Sequence, residues 1–398
     1  MDRSAEVIVV GGGIIGCSIA AELARLGTQV LLLERNEIAS AASGRNHGLI
    51  FYPQSEVTGP LYRASHEMYR RLRDVTEIDI GLGDAPAGFI ILISNESEWA
   101  AAETEAQASA LGGVKIEPLD QTQLQEAEPN VGQGHLGGWF IRDGYVLDPA
   151  ALTLATALEA ASLGAEVKTH TDVKQIITRK GRVTGVATDK GIFEADVVVD
   201  AAGPWASKLA RSAGMDLALQ GARGWLLLTQ AVEPLARHLL ESSGWHLMAG
   251  EPGPVAVTVG GFATDNEPGA ADVGLLIQQN ATGHVLLGGS RISSTREDPE
   301  GFEVTREIAR RAVGAIPALS EVPLAAVWSG VRPMSFDGYP LIGWMPGIEG
   351  LFVASGHGGQ GMILGGGTGR LSAQLIRGDA PFIDSGAFDP GRFGTNRT

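Results

Sequence analysis

The sequence predicts an α/β fold in which a discontinuous parallel-sheet domain carries a second, antiparallel-sheet domain as an insertion. Three observations lead to this prediction. Short apolar runs separated by helical patterns occur near the N-terminus, near residues 145–220 and again after residue 320, as expected of buried parallel strands joined by helices. Between these blocks, apolar and polar residues alternate as they do in antiparallel strands. The 398 residues also exceed the usual size of one hydrophobic core.

The N-terminal part of the chain predicts a strand, a turn, a helix and a second strand. Residues 6–10 form a short apolar run that is typical of a strand buried on both faces. Residues 14–26 have apolar side chains at helical spacing, and Gly27 follows as a C-cap. Residues 29–33 form the next buried strand. This order is the βαβ unit with which a Rossmann-type fold begins.

Later elements follow from the same two periodicities, and residues 86–140 have a mixed pattern. Asp148 precedes Pro149 at the start of one helical stretch, which predicts an aspartate N-cap with proline in the first helical position. The predicted helices lie over residues 61–75, 150–163, 305–316 and 361–377, and the predicted strands over residues 88–93, 166–170, 173–179, 182–189, 195–201, 226–230, 273–279 and 284–289. This division places a nucleotide-binding domain in residues 1–85, 141–220 and 321–398 and an inserted substrate domain in residues 86–140 and 221–320.

Composition limits the possible partners. The 30 Lys and Arg residues against 46 Asp and Glu residues give a formal charge of -16, the reverse of what a nucleic-acid surface requires. Cys17 is the single cysteine, so an intramolecular disulfide framework and a cysteine-based zinc site are excluded, and a cytoplasmic location is expected. The apolar stretch of residues 7–10 ends at Gly11, and no segment long enough for a membrane span follows.

A glycine-rich turn follows the first strand. Gly11, Gly13 and Gly16 complete a G-x-G-x-x-G pattern that allows a tight turn, a close approach of pyrophosphate to the backbone, and close packing of helix and strand. The helix N-terminus after the turn favours negative charge. Glu34 ends the second strand, where its carboxylate can accept hydrogen bonds from a ribose diol and would repel a ribose phosphate. Together these residues predict a dinucleotide site and disfavour NADP.

Two later segments favour FAD over NAD, because the long FAD molecule needs contacts far from the first βαβ unit. Residues 197–203 form a buried strand that ends in small residues, which lets the chain pass beneath a dinucleotide. Residues 356–362 form a second glycine-rich turn that opens a helix. The positive end of that helix can point at the flavin pyrimidine, where negative charge develops on reduction. FAD is therefore the predicted cofactor.

At these motifs the chain resembles the D-amino-acid oxidase superfamily of FAD enzymes, and within it the branch of the glycine and sarcosine oxidases. The resemblance covers nearly the whole chain and rests on six blocks in the order that the family has. The blocks are residues 11–16 with 34–35, 42–48, 143–149, 201–205, 330–333 with 337–343, and 356–358.

The resemblance implies which residues contact the cofactor. His47, Gly48 and Leu49 would lie against the flavin, and the backbone of Val173 would meet the adenine. The complete implied set is Gly11, Gly13, Ile14, Ile15, Gly16, Glu34, Arg35, Ala42, Ser43, Asn46, His47, Gly48, Leu49, Val173, Ala202, Gly203, Trp205, Gly330, Arg332, His357, Gly358, Gly359, Gln360, Gly361 and Met362.

Noncovalent attachment of FAD is expected. Sarcosine oxidases attach flavin through a cysteine, and the matching position in this chain is close to Gly330. Since Cys17 is the only cysteine, attachment of that kind is excluded, and a covalent bond to His47 is the alternative.

Arg332 falls on the arginine that binds the substrate carboxylate in glycine oxidase-like enzymes. The planar guanidinium suits this task because it can donate two parallel hydrogen bonds to a carboxylate. A structural pair with Asp337 is the alternative role of Arg332. His47 and His357 are the other catalytic candidates, and for both of them hydrogen bonding or flavin contact is the alternative to proton transfer.

Two departures from the family pattern bear on the substrate and on oxygen. Glycine oxidases carry a second arginine in the C-terminal turn, where this chain has Gly359 and Gln360. The oxygen-activating lysine of sarcosine oxidases would align near Leu286, and this chain has no lysine beyond Lys208. The final electron acceptor is therefore left open between oxygen and an electron carrier.

The resemblance implies oxidation of the C–N bond of a small amino acid or N-substituted glycine-type amine. A hydride would pass from the substrate Cα to flavin N5, and water would hydrolyse the imine to an oxo acid. The alternatives are an FAD subunit of a hetero-oligomeric dye- or quinone-linked dehydrogenase of the opine or hydroxyproline type, a hydroxy acid dehydrogenase, and an FAD-bearing protein without substrate chemistry. Homo-oligomers and hetero-oligomers both remain open. Residues 225–279, where the resemblance is weakest, are expected to line the substrate pocket.

Overall fold

A computed structural model of the protein describes residues 4–51, 55–111, 116–242, 271–293 and 301–394. Residues 243–270, which belong to the segment expected to line the substrate pocket, lie outside the described residues. In chain order the strands are β1 Ser4–Val10, β2 Val30–Leu33, β3 Leu49–Ile50, β4 Phe89–Ile93, β5 Ile116–Asp120, β6 Gly137–Ile141, β7 Tyr145–Val146, β8 Glu166–Lys168, β9 Val173–Arg179, β10 Arg182–Thr188, β11 Gly191–Asp200, β12 Leu219–Thr229, β13 Leu239–Ser242, β14 Ala271–Gln279, β15 Val285–Ser293, β16 Leu324–Ser335, β17 Leu341–Trp344 and β18 Leu351–Ser355. The helices are α1 Ile14–Arg25, α2 Gly59–Val75, α3 Glu96–Leu111, α4 Gln121–Ala127, α5 Pro149–Ser162, α6 Ala206–Arg211, α7 Gly301–Ala315 and α8 Gly361–Arg377.

The first sheet joins the N-terminal βαβ unit to two later parts of the chain. Six of its eight described strands lie in the order β17–β18–β11–β1–β2–β8, and every neighbouring pair from β18 to β8 is parallel. The other two, β10 and β9, extend the sheet from β11 through antiparallel pairs. On one face, Val7 and Val9 of β1 belong to the core that α1, α5 and α8 share. On the other face, Ile8 and Val10 pack with α6. Burial on both faces explains why β1 is apolar at successive positions.

The second sheet has the order β16–β12–β15–β14–β13–β4–β6–β5. All of its neighbouring pairs are antiparallel except β13 with β4, which is parallel. The helix α7 covers one face through Val304, Ile308 and Ala312. The predicted α/β fold with a parallel and a mostly antiparallel sheet is confirmed. The residue ranges of the two domains stay a prediction; β16, from the segment after residue 320, pairs with β12 in the second sheet.

The local signals at helix ends are present in the structure. Asp148 Oδ1 accepts hydrogen bonds from the N–H groups of Ala150 and Ala151, both at 2.9 Å, and Pro149 occupies the first helical position of α5. The predicted N-cap is therefore confirmed. Gly27 follows α1 with φ +79°, as expected of a residue that ends a helix.

Several element boundaries differ from the prediction. The strand predicted over residues 166–170 ends at Lys168, because His170 has a left-handed φ of +50°. The strand predicted over residues 226–230 is longer and begins at Leu219. The prediction missed its first part because glycines there interrupt the alternation of apolar and polar residues. The helix α3 lies in the region of mixed pattern; its alanines and glutamates favour a helix, but they form no apolar stripe that periodicity could detect.

Asp200 ends β11 with a fully buried carboxyl group. Burial raises the pKa of Asp200 to about 7, although Oδ1 accepts a hydrogen bond from the Ala202 N–H at 3.1 Å. The pKa in the folded state thus exceeds the value of about 3.9 found in unfolded chains, so folding disfavours the charged form. The contribution of this group to the free energy of unfolding is therefore largest below about pH 4, falls up to about pH 7, and stays level above that.

We expect Asp200→Asn to remove this pH dependence, because the amide keeps the shape of the carboxyl group and is neutral at every pH. Between about pH 5.5 and about pH 8, the wild-type protein should lose about 2 kcal/mol more free energy of unfolding than the variant. Denaturant unfolding of both proteins at the two pH values measures the difference. The same pH dependence in both proteins would show that this carboxyl group is not its source.

Candidate active site

A cavity of about 590 Å³ lies where the carboxyl ends of β1, β2 and β11 face the second sheet. This edge of an open α/β sheet is where ligands bind in such folds. A Cβ at Gly16 would lie 2.0 Å from the Gly11 carbonyl oxygen, so Gly16 packs α1 against the turn and does not line the cavity. The other residues of the predicted set all line it: Gly11, Gly13, Ile14, Ile15, Glu34, Arg35, Ala42, Ser43, Asn46, His47, Gly48, Leu49, Val173, Ala202, Gly203, Trp205, Gly330, Arg332, His357, Gly358, Gly359, Gln360, Gly361 and Met362.

The turn between β1 and α1 forms a backbone cradle. Gly11 has φ +117°, and a Cβ at this position would lie 2.4 Å from the Ala201 carbonyl oxygen, so only glycine fits. The first turn of α1 has no cap from its own N-cap side chain. Instead, the Ile14 N–H donates to Ser43 Oγ at 2.9 Å. A hydroxyl group and the positive end of α1 therefore meet at one point of the cavity, which suits a pyrophosphate.

Glu34 holds its carboxylate at the end of β2 through backbone hydrogen bonds. Its Oε2 accepts from the Gly12 N–H at 2.6 Å and its Oε1 accepts from the Asn36 N–H at 2.8 Å. Each carboxylate oxygen has a second lone pair, so the group can still accept a hydrogen bond from a ribose hydroxyl. The geometry is the one that a ribose-binding carboxylate requires.

We expect Glu34→Ala to weaken FAD binding by about 1 to 3 kcal/mol, because the change removes the acceptor for the ribose diol. Titration of the apoprotein with FAD, followed by flavin fluorescence, measures the dissociation constant. Glu37→Ala is the matched control, since the Glu37 carboxylate is exposed and contacts His170 outside the cavity. Equal FAD affinity in the two variants would contradict the role given to Glu34.

Arg35 and Trp205 stack at the nucleotide side of the cavity. The Arg35 Cζ lies 3.6 Å from the centroid of the Trp205 ring. Val173 is close to the same side, because the N–H of nearby Thr171 donates to the Glu34 carbonyl at 2.8 Å. The structure thus brings together a flat cationic and aromatic pair and the backbone position predicted to meet adenine.

The loop of residues 42–48 presents His47 to the cavity. Asn46 fixes the loop, because its Nδ2 donates to the Ala42 carbonyl at 2.9 Å and its Oδ1 accepts from the Gly48 N–H at 2.7 Å. These bonds restrict the backbone on both sides of His47.

His47 itself packs against β15 of the second sheet. A Cβ at Gly288 would lie 2.4 Å from His47 Nε2, so the missing side chain makes room for the imidazole. Burial, together with the charge of Arg332, lowers the pKa of His47 to about 4. The imidazole is therefore neutral at pH 7.

His357 lies in the C-terminal glycine turn, next to the start of α8. Its Nε2 is 3.0 Å from Thr368 Oγ1, and its Nδ1 is buried without a hydrogen-bond partner among the described residues. Burial lowers the pKa of His357 to about 3, so this ring is also neutral at pH 7. A backbone bridge between His357 and Met334 ties the turn to β16.

Arg332 lies on β16, and its side chain crosses the neighbouring strand β12. A Cβ at Gly224 of β12 would lie 2.4 Å from Arg332 Nη1, so the glycine leaves the space that the guanidinium occupies. Beyond Gly224, Nη1 donates to the Ser290 carbonyl of β15 at 3.1 Å. Asp337, the alternative partner, is bound instead by Arg392 through bonds of 2.7 and 2.9 Å. The carboxylate considered as the alternative partner of Arg332 is therefore held by a different arginine.

The second sheet contributes residues to the cavity lining for which the sequence predicted no individual role. Trp225, Glu241 and Leu276 fall in the range expected to line the pocket, and they do line the cavity. Glu241 is only 3% exposed. Arg291 of β15 lines the cavity as well and lies outside the expected range. Only the pairing of the strands brings these residues together, so no local motif marks them.

The donor and acceptor groups along the cavity fit FAD. The α1 end with Ser43 suits the pyrophosphate, Glu34 suits a ribose diol, and the N-terminus of α8 offers positive charge at the other end. The buried Nδ1 of His357 faces no partner among the described residues, as expected of an atom that a bound group contacts.

In the described part of the chain, no three acidic, histidine or cysteine side chains are placed to hold a metal ion. Among these residues no helix has the length and apolar character that crossing a bilayer requires.

The fold and the cavity are those of a dinucleotide-binding protein. The model of the DAO family, described as FAD dependent oxidoreductase, matches residues 6–375, so the chain belongs to this family. It is an enzyme, and its cofactor is FAD.

Individual relatives agree with this assignment. The chain is 30% identical over 391 residues to the glycine oxidase of Bacillus licheniformis, with 95% of each chain covered. It is 27% identical over 445 residues to hydrogen cyanide synthase subunit HcnC of Pseudomonas protegens, with 99% of this chain and 98% of that protein covered. The crystal structure of glycine oxidase from Geobacillus kaustophilus matches with a TM-score of 0.82 at 26% identity, covering 98% of this chain and 99% of that one. The predicted family, fold class and cofactor are confirmed.

Proposed function

We propose that the enzyme oxidises the C–N bond of a small amino acid or an N-substituted glycine to an imine, which water hydrolyses to an oxo acid. The observation that carries the proposal is the Arg332 guanidinium, held across Gly224 in the same cavity as the residues predicted to bind FAD. The similarity to glycine oxidases supports FAD-dependent oxidation of an amine or amino acid.

Each side chain has a limited task in this proposal. When bound, FAD supplies the acceptor for the two electrons and the hydrogen that leave the substrate carbon. Arg332 binds the substrate carboxylate and thereby fixes the position of the reacting carbon. With pKa values of about 4 and about 3, His47 and His357 are too weakly basic to take up a proton at pH 7, so we assign them to cofactor contact and hydrogen bonding.

Noncovalent attachment of FAD is part of the proposal. Cys17 is buried in α1 and does not line the cavity. We expect acid precipitation of the yellow protein to release the colour into the supernatant. Colour that stays in the pellet would mean a covalent bond, and His47 would be the first residue to examine. A cytoplasmic location stays a prediction from the single cysteine.

A second candidate is the FAD subunit of a hetero-oligomeric dye- or quinone-linked dehydrogenase. The similarity to HcnC, a subunit of hydrogen cyanide synthase, favours it. No described second-sheet residue that lines the cavity is a lysine, and the sequence has no lysine after Lys208. Dye-linked activity of the chain purified alone, with no oxygen uptake, would favour a dehydrogenase that needs no partner. Activity that appears only when a second protein is added would support the subunit.

Anaerobic mixing of the holoenzyme with candidate substrates tests the reaction class directly. The set contains glycine, sarcosine, D-amino acids, proline analogues and hydroxy acids, and the readout is the loss of flavin absorbance. We expect reduction by at least one amine that carries a carboxylate. Reduction by hydroxy acids alone would replace the proposal with a hydroxy acid dehydrogenase, because an arginine anchor suits both substrate classes. No reduction by any compound would leave an FAD-bearing protein without this chemistry.

A further inference from the structure

The second sheet departs from regular pairing on both sides of residues 288–291 in β15. Toward β14, the two residues Gly274 and Leu275 face the single residue Gly289. Toward β12, the four residues 288–291 face the three residues 224–226. Such bulges turn side chains away from the regular alternation, and they are frequent beside active sites.

Side chains replace the ladder hydrogen bonds that are missing at this irregular segment. Ser290 Oγ accepts from the Trp225 N–H at 2.8 Å, and Ser242 Oγ accepts from the Leu275 N–H at 3.0 Å. The Ser290 carbonyl accepts the bond from Arg332 Nη1 at 3.1 Å. The segment is therefore held in a defined shape, as expected of a feature with a function.

Two arginines that line the cavity meet this segment of β15. Arg332 is bonded to the backbone of Ser290, Arg291 is the next residue, and both arginines line the cavity. Glu241, on β13, is the acidic residue of the described second-sheet strands that lines the same cavity. Among the described second-sheet residues that line the cavity, the two arginines outnumber the one carboxylate, which favours an anion beside them.

Arg291 also bears on the second arginine that this chain lacks in its C-terminal turn. The C-terminal turn has Gly359 and Gln360 where glycine oxidases have a second arginine. Arg291 provides a second guanidinium from another strand, so its position relative to Arg332 differs from that of an arginine in the turn. A second acidic group on the substrate fits this arrangement, because the Arg332 guanidinium has several N–H donors besides the one that bonds the Ser290 carbonyl, and Arg291 carries a separate fork on the next residue.

We propose that Arg332 and Arg291 bind a substrate with two acidic groups, Arg332 taking the carboxylate next to the reacting carbon and Arg291 taking the second one. This inference rests on the proposed function and narrows its substrate class to amino dicarboxylates. Aspartate, glutamate and N-(carboxymethyl)glycine represent the class.

Matched substrate pairs test the proposal on the holoenzyme. Aspartate is compared with asparagine, in D and L forms, and N-(carboxymethyl)glycine with N-methylglycine, by the rate of anaerobic flavin reduction. We expect a preference of about tenfold or more for the dicarboxylate in each pair that reacts, the size of one hydrogen bond to a charged group. Arg291→Gln should bring the ratio close to one, and Arg291→Lys should restore part of it. Arg223→Gln is the control, since Arg223 lies on β12, donates to Ser329 Oγ and does not line the cavity.

A binding measurement separates this inference from the reaction itself. Malonate and acetate are titrated into the oxidised holoenzyme, and the shift of the flavin absorption bands is recorded. In the wild-type enzyme, we expect the dissociation constant of malonate, read from the band shift, to be about a tenth or less of that of acetate. Arg291→Gln should abolish this difference in affinity. Equal affinity for the two anions, or the same ratio in wild-type and Arg291→Gln enzyme, would overturn the second anion site. A malonate preference without flavin reduction by any amine would keep the anion site and reject the proposed function.

Discussion

Arg332→Ala is expected to reduce kcat/KM for a carboxylate substrate by the equivalent of about 2 to 5 kcal/mol, the loss found when one partner of a buried charge pair is removed. In the proposed function the guanidinium fixes the carboxylate, and without it the reacting carbon would no longer be aligned with the cofactor. Arg332→Lys should lose less, because a point charge replaces a two-pronged donor. Steady-state kinetics give both values, and the flavin spectrum should stay that of the wild-type enzyme.

Two comparisons identify the cause of that loss. Gly224→Ala keeps the charge but places a Cβ 2.4 Å from Arg332 Nη1, so it should raise KM by displacing the guanidinium. Arg223→Ala removes an arginine from β12, the strand of Gly224. Because Arg223 does not line the cavity, the effect of this variant on KM should be small. If Arg332→Ala impairs an amine without a carboxylate as much as an amino acid, the arginine is structural and the carboxylate part of the proposal fails.

Gly11→Ala is expected to yield a protein without bound FAD. The new Cβ would lie 2.4 Å from the Ala201 carbonyl oxygen, and the backbone φ of +117° is unfavourable for any residue with a side chain. Since β1 and β11, whose ends adjoin Gly11 and Ala201, are buried there, the clash has to be relieved by moving the turn itself, where the pyrophosphate is expected to bind. The FAD content of the purified variant, from the ratio of flavin to protein absorbance, measures the effect.

Gly27→Ala separates the steric clash from the cost of the unusual backbone angle. Gly27 also has a positive φ, +79°, but a Cβ there meets no atom within 4 Å. This variant should bind FAD normally and lose about 1 kcal/mol of unfolding free energy. Loss of FAD in both variants would mean that general destabilisation, and not the closed space around Gly11, is responsible.

The nucleotide half of the fold could be predicted from the sequence because its signals are local. The glycine turn, Glu34 at the end of β2 and the N-cap Asp148 each depend on residues close together in the chain. Buried parallel strands also leave long apolar runs that are easy to detect. The structure has the expected strands and helices in this half, and the predicted cofactor residues, apart from Gly16, line one cavity.

The substrate half could be predicted only as a range. Glu241, Arg291 and Arg332 reach the same cavity through the order in which β13, β15 and β16 pair, and no short motif encodes that order. The irregular pairing at residues 288–291 further hides the period-two pattern that marks a strand. Sequence similarity supplied Arg332 but not Arg291, because the second arginine of glycine oxidases lies in a different part of the chain.

The location of Arg332 on an edge strand of the second sheet affects how the substrate preference of such enzymes can change in evolution. Among the described residues, β16 pairs in the second sheet only with β12, while Glu241, Leu276 and Arg291 lie on strands further along the sheet. In the proposed function, the residue that binds the carboxylate and the residues that would contact the rest of the substrate therefore lie on different strands. Substitutions at lining positions of β13 and β14, such as Glu241 and Leu276, can change substrate preference while Arg332 keeps its hydrogen bond to β15. Selection for a new substrate can then act on strands other than the one that holds the Arg332 guanidinium in place.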